Sequence, residues 1–128
     1  MADLVSSDKV LEIASRGYKE VIKYNWHGEI ILIRCYLSRE EEWRVIHSIL
    51  NTCSVENDGA KYIIPEMLDF VARTEIVAAY SNVELPRDIE ERHKILYCSD
   101  IYDVISKHSN SDQINNILSS IKMYLQMG

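Results

Sequence analysis

Three cysteines, four histidines and 20 acidic residues are the side chains that could do chemistry in this sequence, and their spacing argues against most of it. Cys35, Cys53 and Cys98 form no CxxC unit. Among His27, His47, His93 and His108 no pair has the HxxxH or HExxH spacing that sets two imidazoles on one helix face for zinc. His47 and Cys53 lie six residues apart, on different faces of an ideal helix. Cys98 stands five residues from His93, a poor helical match for a thiol and its base. Were the chain a small thiol enzyme, Cys53 or Cys98 would be its nucleophile. Glu40-Glu41-Glu42 fits a helix's first turn, where carboxylates favour the positive end of the macrodipole. Glu90-Glu91-Arg92 fits a solvated helix face. No GxGxxG, Walker loop or GxSxG occurs, and four glycines are too few for a phosphate cradle. The expectation is no enzyme, no cofactor and no metal site.

The aromatic residues point elsewhere. Eight tyrosines are spread over the whole chain, a pattern that suits core edges with wet hydroxyls or a contact surface. Tyr18, Tyr24, Trp26 and Tyr36 are the candidate protein-contact residues, because they fall on a hairpin, which offers two faces and two edges.

The composition that must carry these residues is globular. At 47% apolar, 128 residues can bury one continuous core without disulfides or a structural metal, and no linker or repeat divides residues 1–128. The net charge of −6 comes without any basic run, which argues against nucleic-acid binding. The longest purely apolar run, Ile76–Tyr80, is far too short to span a bilayer. Charges at Asp3, Asp8 and Lys9 break any signal-peptide core within Met1–Gly17. These features predict a reduced, cytoplasmic protein whose cysteines are small core residues.

Several elements are legible in order. Ser7 caps a short helix over Ser7–Ser15, with Val10, Leu11 and Ala14 on one face and Gly17 as its stop. Tyr18–Trp26 alternates in period two, Glu29–Leu37 is rich in β-branched residues, and Asn25-Trp26-His27-Gly28 turns between them. Ser38-Arg39-Glu40-Glu41 fits a capping box, followed by a helix through about Thr52 that carries Trp43, Ile46 and Leu50. Glu56-Asn57-Asp58-Gly59 is a turn, and Lys61–Ile64 adds a short third strand. Pro65 opens a helix apolar on nearly all sides, with Leu68, Val71, Ala72, Ile76 and Ala79 as its stripe, which makes it the buried spine. Pro86 opens another helix to about Tyr97. Ser99-Asp100 caps Ile101–His108, and Ser111-Asp112 caps a last helix with Ile114, Ile117, Leu118, Ile121 and Leu125 on one face. The fold class is α+β and mainly α: an N-terminal hairpin on a bundle of about four to five helices.

A run of these residues resembles a known family. Tyr18-Lys19-Glu20-Val21-Ile22-Lys23-Tyr24-Asn25-Trp26-His27-Gly28, then Tyr36-Leu37 and the Ser-capped helix, is similar to small tailed-phage and prophage proteins of Gram-positive hosts. The similarity continues through Asp58-Gly59, Tyr62, Pro65-Glu66, Asp69-Phe70, Ala79-Tyr80-Ser81-Asn82, Leu85-Pro86, Tyr97, Ser99-Asp100-Ile101 and Asp112-Gln113. Some members are described as tail assembly chaperones, which bind the tape-measure protein and help tail-tube subunits polymerise around it. The resemblance implies a non-enzymatic role in virion tail assembly inside the bacterial host cell, with tape-measure or tail-tube proteins as partners. It supplies no catalytic residue. The alternative is a small phage inhibitor that occludes a basic surface on a host defence or host enzyme, using Glu40-Glu41-Glu42 or Asp88, Glu90 and Glu91. Homo-oligomerisation through the hairpin or the last helix fits either role.

Overall fold

A computed structural model of the chain describes residues 4–127. In chain order it runs α1 (Ser7–Tyr18), β1 (Val21–Trp26), β2 (Glu29–Arg34), α2 (Arg39–Thr52), β3 (Ser54–Asn57), β4 (Ala60–Ile63) and α3 (Pro65–Tyr80). There follow α4 (Ile89–His93), which passes directly into a π-helical turn over Lys94–Cys98, then α5 (Ile101–His108) and α6 (Ser111–Met127). Among the described residues the fold is therefore mainly helical α+β, with six helices, an N-terminal hairpin and a second two-stranded sheet.

The hairpin forms where the period-two pattern and the turn chemistry agree. His27 and Gly28 both have positive φ, 52° and 87°, as a two-residue turn matched to strand twist requires. The Asn25 side chain accepts from the Gly28 N–H at 2.9 Å and holds the corner. Tyr24 then faces Ile31, and Ile22 faces Ile33, on the side packed against the core. Tyr18 belongs to the end of α1 and not to the strand, because the chain needs Lys19 and Glu20 to leave the helix. The outer edge of β2 is closed as well. Leu32 donates to the Asn82 side chain at 2.9 Å and accepts from the Asn82 N–H at 3.2 Å, beside an Ile33–Ser81 bridge. The outer edge of β1 carries exposed Lys23, a charge that discourages further pairing.

The expected third strand exists, but its partner is not the hairpin. Asp58 and Gly59 repeat the same turn, with φ of 53° and 80°, and fold Ala60–Ile63 back on Ser54–Asn57. Ser54-Val55-Glu56-Asn57 has no apolar alternation, so only the turn behind it makes it a strand.

Capping explains most helix boundaries. Ser38 and Glu41 form the expected capping box, with Glu41 N–H to Ser38 Oγ at 3.2 Å and Ser38 N–H to Glu41 Oε1 at 3.1 Å. Pro65 is the first residue of α3, as expected. Three starts differ from expectation. Ser6, not Ser7, caps α1, and the helix runs through Gly17, whose missing Cβ would stand 3.6 Å from the Tyr36 ring. Asp88 accepts from the Glu91 N–H and starts α4, while Pro86 lies outside the helix with its carbonyl bound by Arg92. Asn110, not Ser111, caps α6 by accepting from the Gln113 N–H at 2.9 Å. In each case an oxygen three residues before the right N–H won over its neighbour.

The core gathers around α3, where Ile76, Val77 and Tyr80 have no exposed surface. Ile33 and Leu37, Ile49 of α2, Ile105 of α5 and Ile117 of α6 close on it, all equally buried. Cys35 and Cys53 are buried in this core, whereas Cys98 is exposed. It ends the π turn two residues after buried Leu96, on the opposite side of that turn.

A polar latch crosses the core. The buried Tyr80 hydroxyl donates to Gln113 Oε1 at 2.7 Å. The same oxygen accepts from the Leu37 N–H at 2.8 Å, and Gln113 Nε2 donates to the Leu37 carbonyl at 2.9 Å. Outside the core, Arg34 grips both oxygens of Glu41 at 2.5 and 2.9 Å. That hydrogen-bonded guanidinium and the Ser38 N–H hold the Glu41 carboxyl down to about 2, although partial burial pushes the other way.

Two outcomes follow. Gln113→Ala should cost about 2–3 kcal/mol in urea unfolding, more than the roughly 1 kcal/mol expected for Tyr80→Phe, because it orphans three buried polar groups rather than deleting one. Equal losses would show that the latch is not what satisfies Leu37. Glu41→Gln keeps the cap but removes the ion pair, whose partners are about one-third exposed (35% and 36%) and so screened. A carboxyl held low stabilises the fold above its ordinary value of 4.5, and the gain disappears as pH falls through about 2. The variant should thus be less stable by about 1 kcal/mol at pH 7 and indistinguishable from the parent near pH 2, read by urea titration at both.

Candidate protein-contact surface

α1 has the composition of a helix with a partner. On a helical wheel Val10, Leu11, Ile13, Ala14 and Tyr18 share one arc, and Asp8, Lys9, Glu12 and Arg16 occupy the other. Yet no residue of α1 is buried. Val10 is 53% exposed, Leu11 65% and Ile13 56%, and Leu4 and Val5 just before them are more exposed still. The helix touches the body at its last turn, where the Tyr36 ring lies against Gly17 and meets the Tyr18 ring edge-on at 5.8 Å.

Tyr18 also begins a groove. With Trp43 and Ile46 of α2 and Tyr124 of α6 it lines a hollow of about 310 Å³, rimmed by Arg39 and Glu42. Tyr124 then lines a second hollow of about 640 Å³ with His47, Leu50, Leu125, Tyr62 and Ile63. The two hollows adjoin at Tyr124 between α2 and α6, and the second reaches Tyr62 and Ile63 of β4. Trp43 stacks on His47 at 5.4 Å along its wall, and Trp43, Tyr62 and Tyr124 are 46%, 56% and 43% exposed.

The four aromatic residues singled out from sequence sit in two places. Tyr18 and Tyr36 meet at the foot of α1, with the Tyr36 hydroxyl accepting from Asn110 Nδ2 at 2.7 Å. Tyr24 and Trp26 lie half-buried on the inner face of β1. Tyr24 packs on His108 at 4.9 Å, and Trp26 Nε1 donates to Asp100 at 2.8 Å. Of the four only Tyr18 is largely exposed. Trp43, Tyr62 and Tyr124 were not singled out, because in sequence they read as members of helix faces or a short strand; nothing in their spacing says that the face is left open.

A second cluster gathers Asp69, Arg73, Tyr97 and Tyr102. Tyr97 donates to Asp69, and Arg73 lies between the rings of Tyr97 and Tyr102, 4.5 and 4.6 Å from their centroids. Arg73 also donates to Asp69 at 3.1 Å and to the Leu96 carbonyl at 3.3 Å. Burial, with the Asp69 hydrogen bond and charge, pushes the Tyr97 phenol up to about 12. A guanidinium over two tyrosine rings and a phenol hydrogen-bonded to Asp69 tie α3, the π turn and α5 together.

Among the described residues no group of three or more His, Cys, Asp or Glu could hold a metal ion, and no helix is long and apolar enough to cross a membrane. Burial pushes the Cys35 and Cys53 thiols up, against reactivity. Native-state labelling with a thiol reagent should therefore modify Cys98 alone, and reach Cys35 and Cys53 only on unfolding. Fast labelling of Cys53 in the folded chain would contradict this. Compared with protein-family models, curated proteins and solved structures, the chain matches none.

Proposed function

We propose that this protein is a non-enzymatic binding module of phage or prophage tail assembly, acting in the manner of a tail assembly chaperone on tape-measure or tail-tube proteins. The observation that carries the binding role is the apolar surface left open on α1 and along the α2–α6 groove. Monomers rarely leave so many large apolar side chains adjoining and uncovered unless something binds there. An open, partly apolar groove between two helices suits an amphipathic helix, which presents anchors at i, i+3 and i+7. The assignment to tail assembly rests on the resemblance carried by the Tyr18–Gly28 segment and the turns and caps after it.

The inhibitor alternative draws less support from the acidic groups it needs. Glu41 is bound to Arg34, Glu40 pairs with Arg44 at 2.6 Å, and Asp88 caps α4. That engages three of the six carboxylates the alternative would use, Glu42, Glu90 and Glu91 being the others.

Co-expression with segments of the tape-measure and tail-tube proteins from the same phage genome tests the role. The expected outcome is co-purification with at least one of them, reduced by Tyr62→Asp in the groove. Failure to associate with any tail protein, in pull-downs from infected or induced cells as well, would sink the proposal.

A further inference from the structure

We infer that α1 is an arm that opens on its own, melting and re-forming while the body from β1 onward stays folded. Little in the fold holds it shut. Of its 12 residues only Ser15 and Gly17 are even part-buried. Val10, Leu11, Ile13 and Tyr18 each keep more than half of their surface in water, so forming the helix shields little apolar area. Its side-chain hydrogen bonds are local. Ser6 Oγ accepts from the Lys9 N–H at 3.3 Å, just beyond the usual range. Arg16 donates to Glu12 at 3.0 Å, in a pair that is 72% and 64% exposed and therefore screened. Among the described residues no hydrogen bond ties an α1 side chain to the body.

The helix is also weak by itself. Twelve residues is a length at which an isolated helix is marginal in water. Val10 and Ile13 are β-branched, and Gly17 costs more backbone entropy than alanine would. What remains is the last turn, where Gly17 and Tyr18 meet the Tyr36 ring and Tyr18 lines the hollow beside Trp43. Those contacts engage one turn of about three.

The opening has a natural stop. The Glu20 carbonyl accepts from the Cys35 N–H at 3.1 Å, and Ile22, Tyr24 and Trp26 of β1 pack against the core. Melting therefore ends at Lys19 and does not draw in the hairpin. The Tyr80–Gln113–Leu37 latch and the Trp26–Asp100 tie lie beyond that point. Coupled to the body through one turn only, α1 belongs to the low end of the range of opening free energies within one structure. The consequence for binding rests on the tail-assembly reading. A tail protein that covers the α1 arc takes only chains in which the helix is formed, so its apparent affinity falls with the formed fraction.

Native-state hydrogen exchange of the full chain, alone and in low urea, tests the inference. Amides from Leu11 to Tyr18 should be protected by less than about 100-fold, with no dependence on urea. Ile76 and Val77 of α3 should be protected by about 1,000-fold or more, with the urea dependence of global unfolding. Gly17→Ala removes the glycine cost and sets a Cβ 3.6 Å from the Tyr36 ring, an ordinary contact. It should raise α1 protection about two- to fivefold. Ala14→Gly, at an exposed position, should lower it by a similar factor, and neither change should move the urea midpoint of the body. α1 amides as slow as those of α3, or accelerated by urea with the same slope, overturn the inference, since α1 is then part of one cooperative unit. So do α1 amides without protection that Gly17→Ala leaves unmoved, since there is then no helix to open. Because exchange is read without a partner, failure to find a tail protein counts against the tail-assembly reading and not against the opening.

Discussion

The hydroxyl of Tyr80 is carried into a core with almost no other polar group, and it needs a partner there. Gln113 provides it, and with the same amide satisfies the N–H and carbonyl of Leu37. An unpaired buried hydroxyl or peptide group costs as much as several methylenes of apolar burial recover. The amide can meet all three only if α3, α6 and the segment leaving the hairpin stand in one arrangement. Burial pushes the phenol well above its ordinary range, which keeps it a donor. Apolar packing of Ile33, Ile76, Ile105 and Ile117 supplies most of the driving force, but it tolerates sliding. The amide does not.

The hairpin depends on that arrangement more than on itself. Two strands alone are marginal in water. Here Asn82 closes the outer edge of β2, Asp100 receives the Trp26 indole, and Asn110 reaches both the Cys35 carbonyl and the Tyr36 hydroxyl. Arg34 at the end of β2 holds Glu41 at the start of α2. Each tie joins the hairpin to a helix cap or a turn, so the hairpin and the helix boundaries fix one another. Tyr24 and Trp26 thereby became part of the body, with their polar atoms or ring faces engaged inside it.

That economy of ties ends abruptly at α1. Contacts at its last turn, through Gly17 and Tyr18, and the short link into β1 hold a helix whose apolar arc is as regular as any in the core. Beyond it, between α2 and α6, lie two open hollows lined by Trp43, Tyr62 and Tyr124. The Asp69–Arg73–Tyr97 tie shows charged and titratable groups engaged in holding elements together.

Much of this was legible in the sequence because it depends on neighbours along the chain. Ser38 and Glu41, Pro65, the His27-Gly28 corner and the all-round apolar helix Pro65–Tyr80 are local patterns, and local hydrogen bonds or burial enforce them. Boundaries slipped where two adjacent polar residues compete for one cap, at Ser6 over Ser7, Asp88 after Pro86 and Asn110 before Ser111, since only the surrounding geometry chooses the oxygen. Ser54–Asn57 was silent because its strand character comes from a turn behind it. The sequence by itself determined that α1 is amphipathic and that α2 and α6 carry Trp43 and Tyr124. Only the tertiary structure decided that, among the described residues, most of the α1 arc stays exposed and that Trp43 and Tyr124 are covered only in part. Periodicity records that a face is apolar; what covers it depends on residues far away in sequence, and here Tyr36 reaches only the last turn of α1.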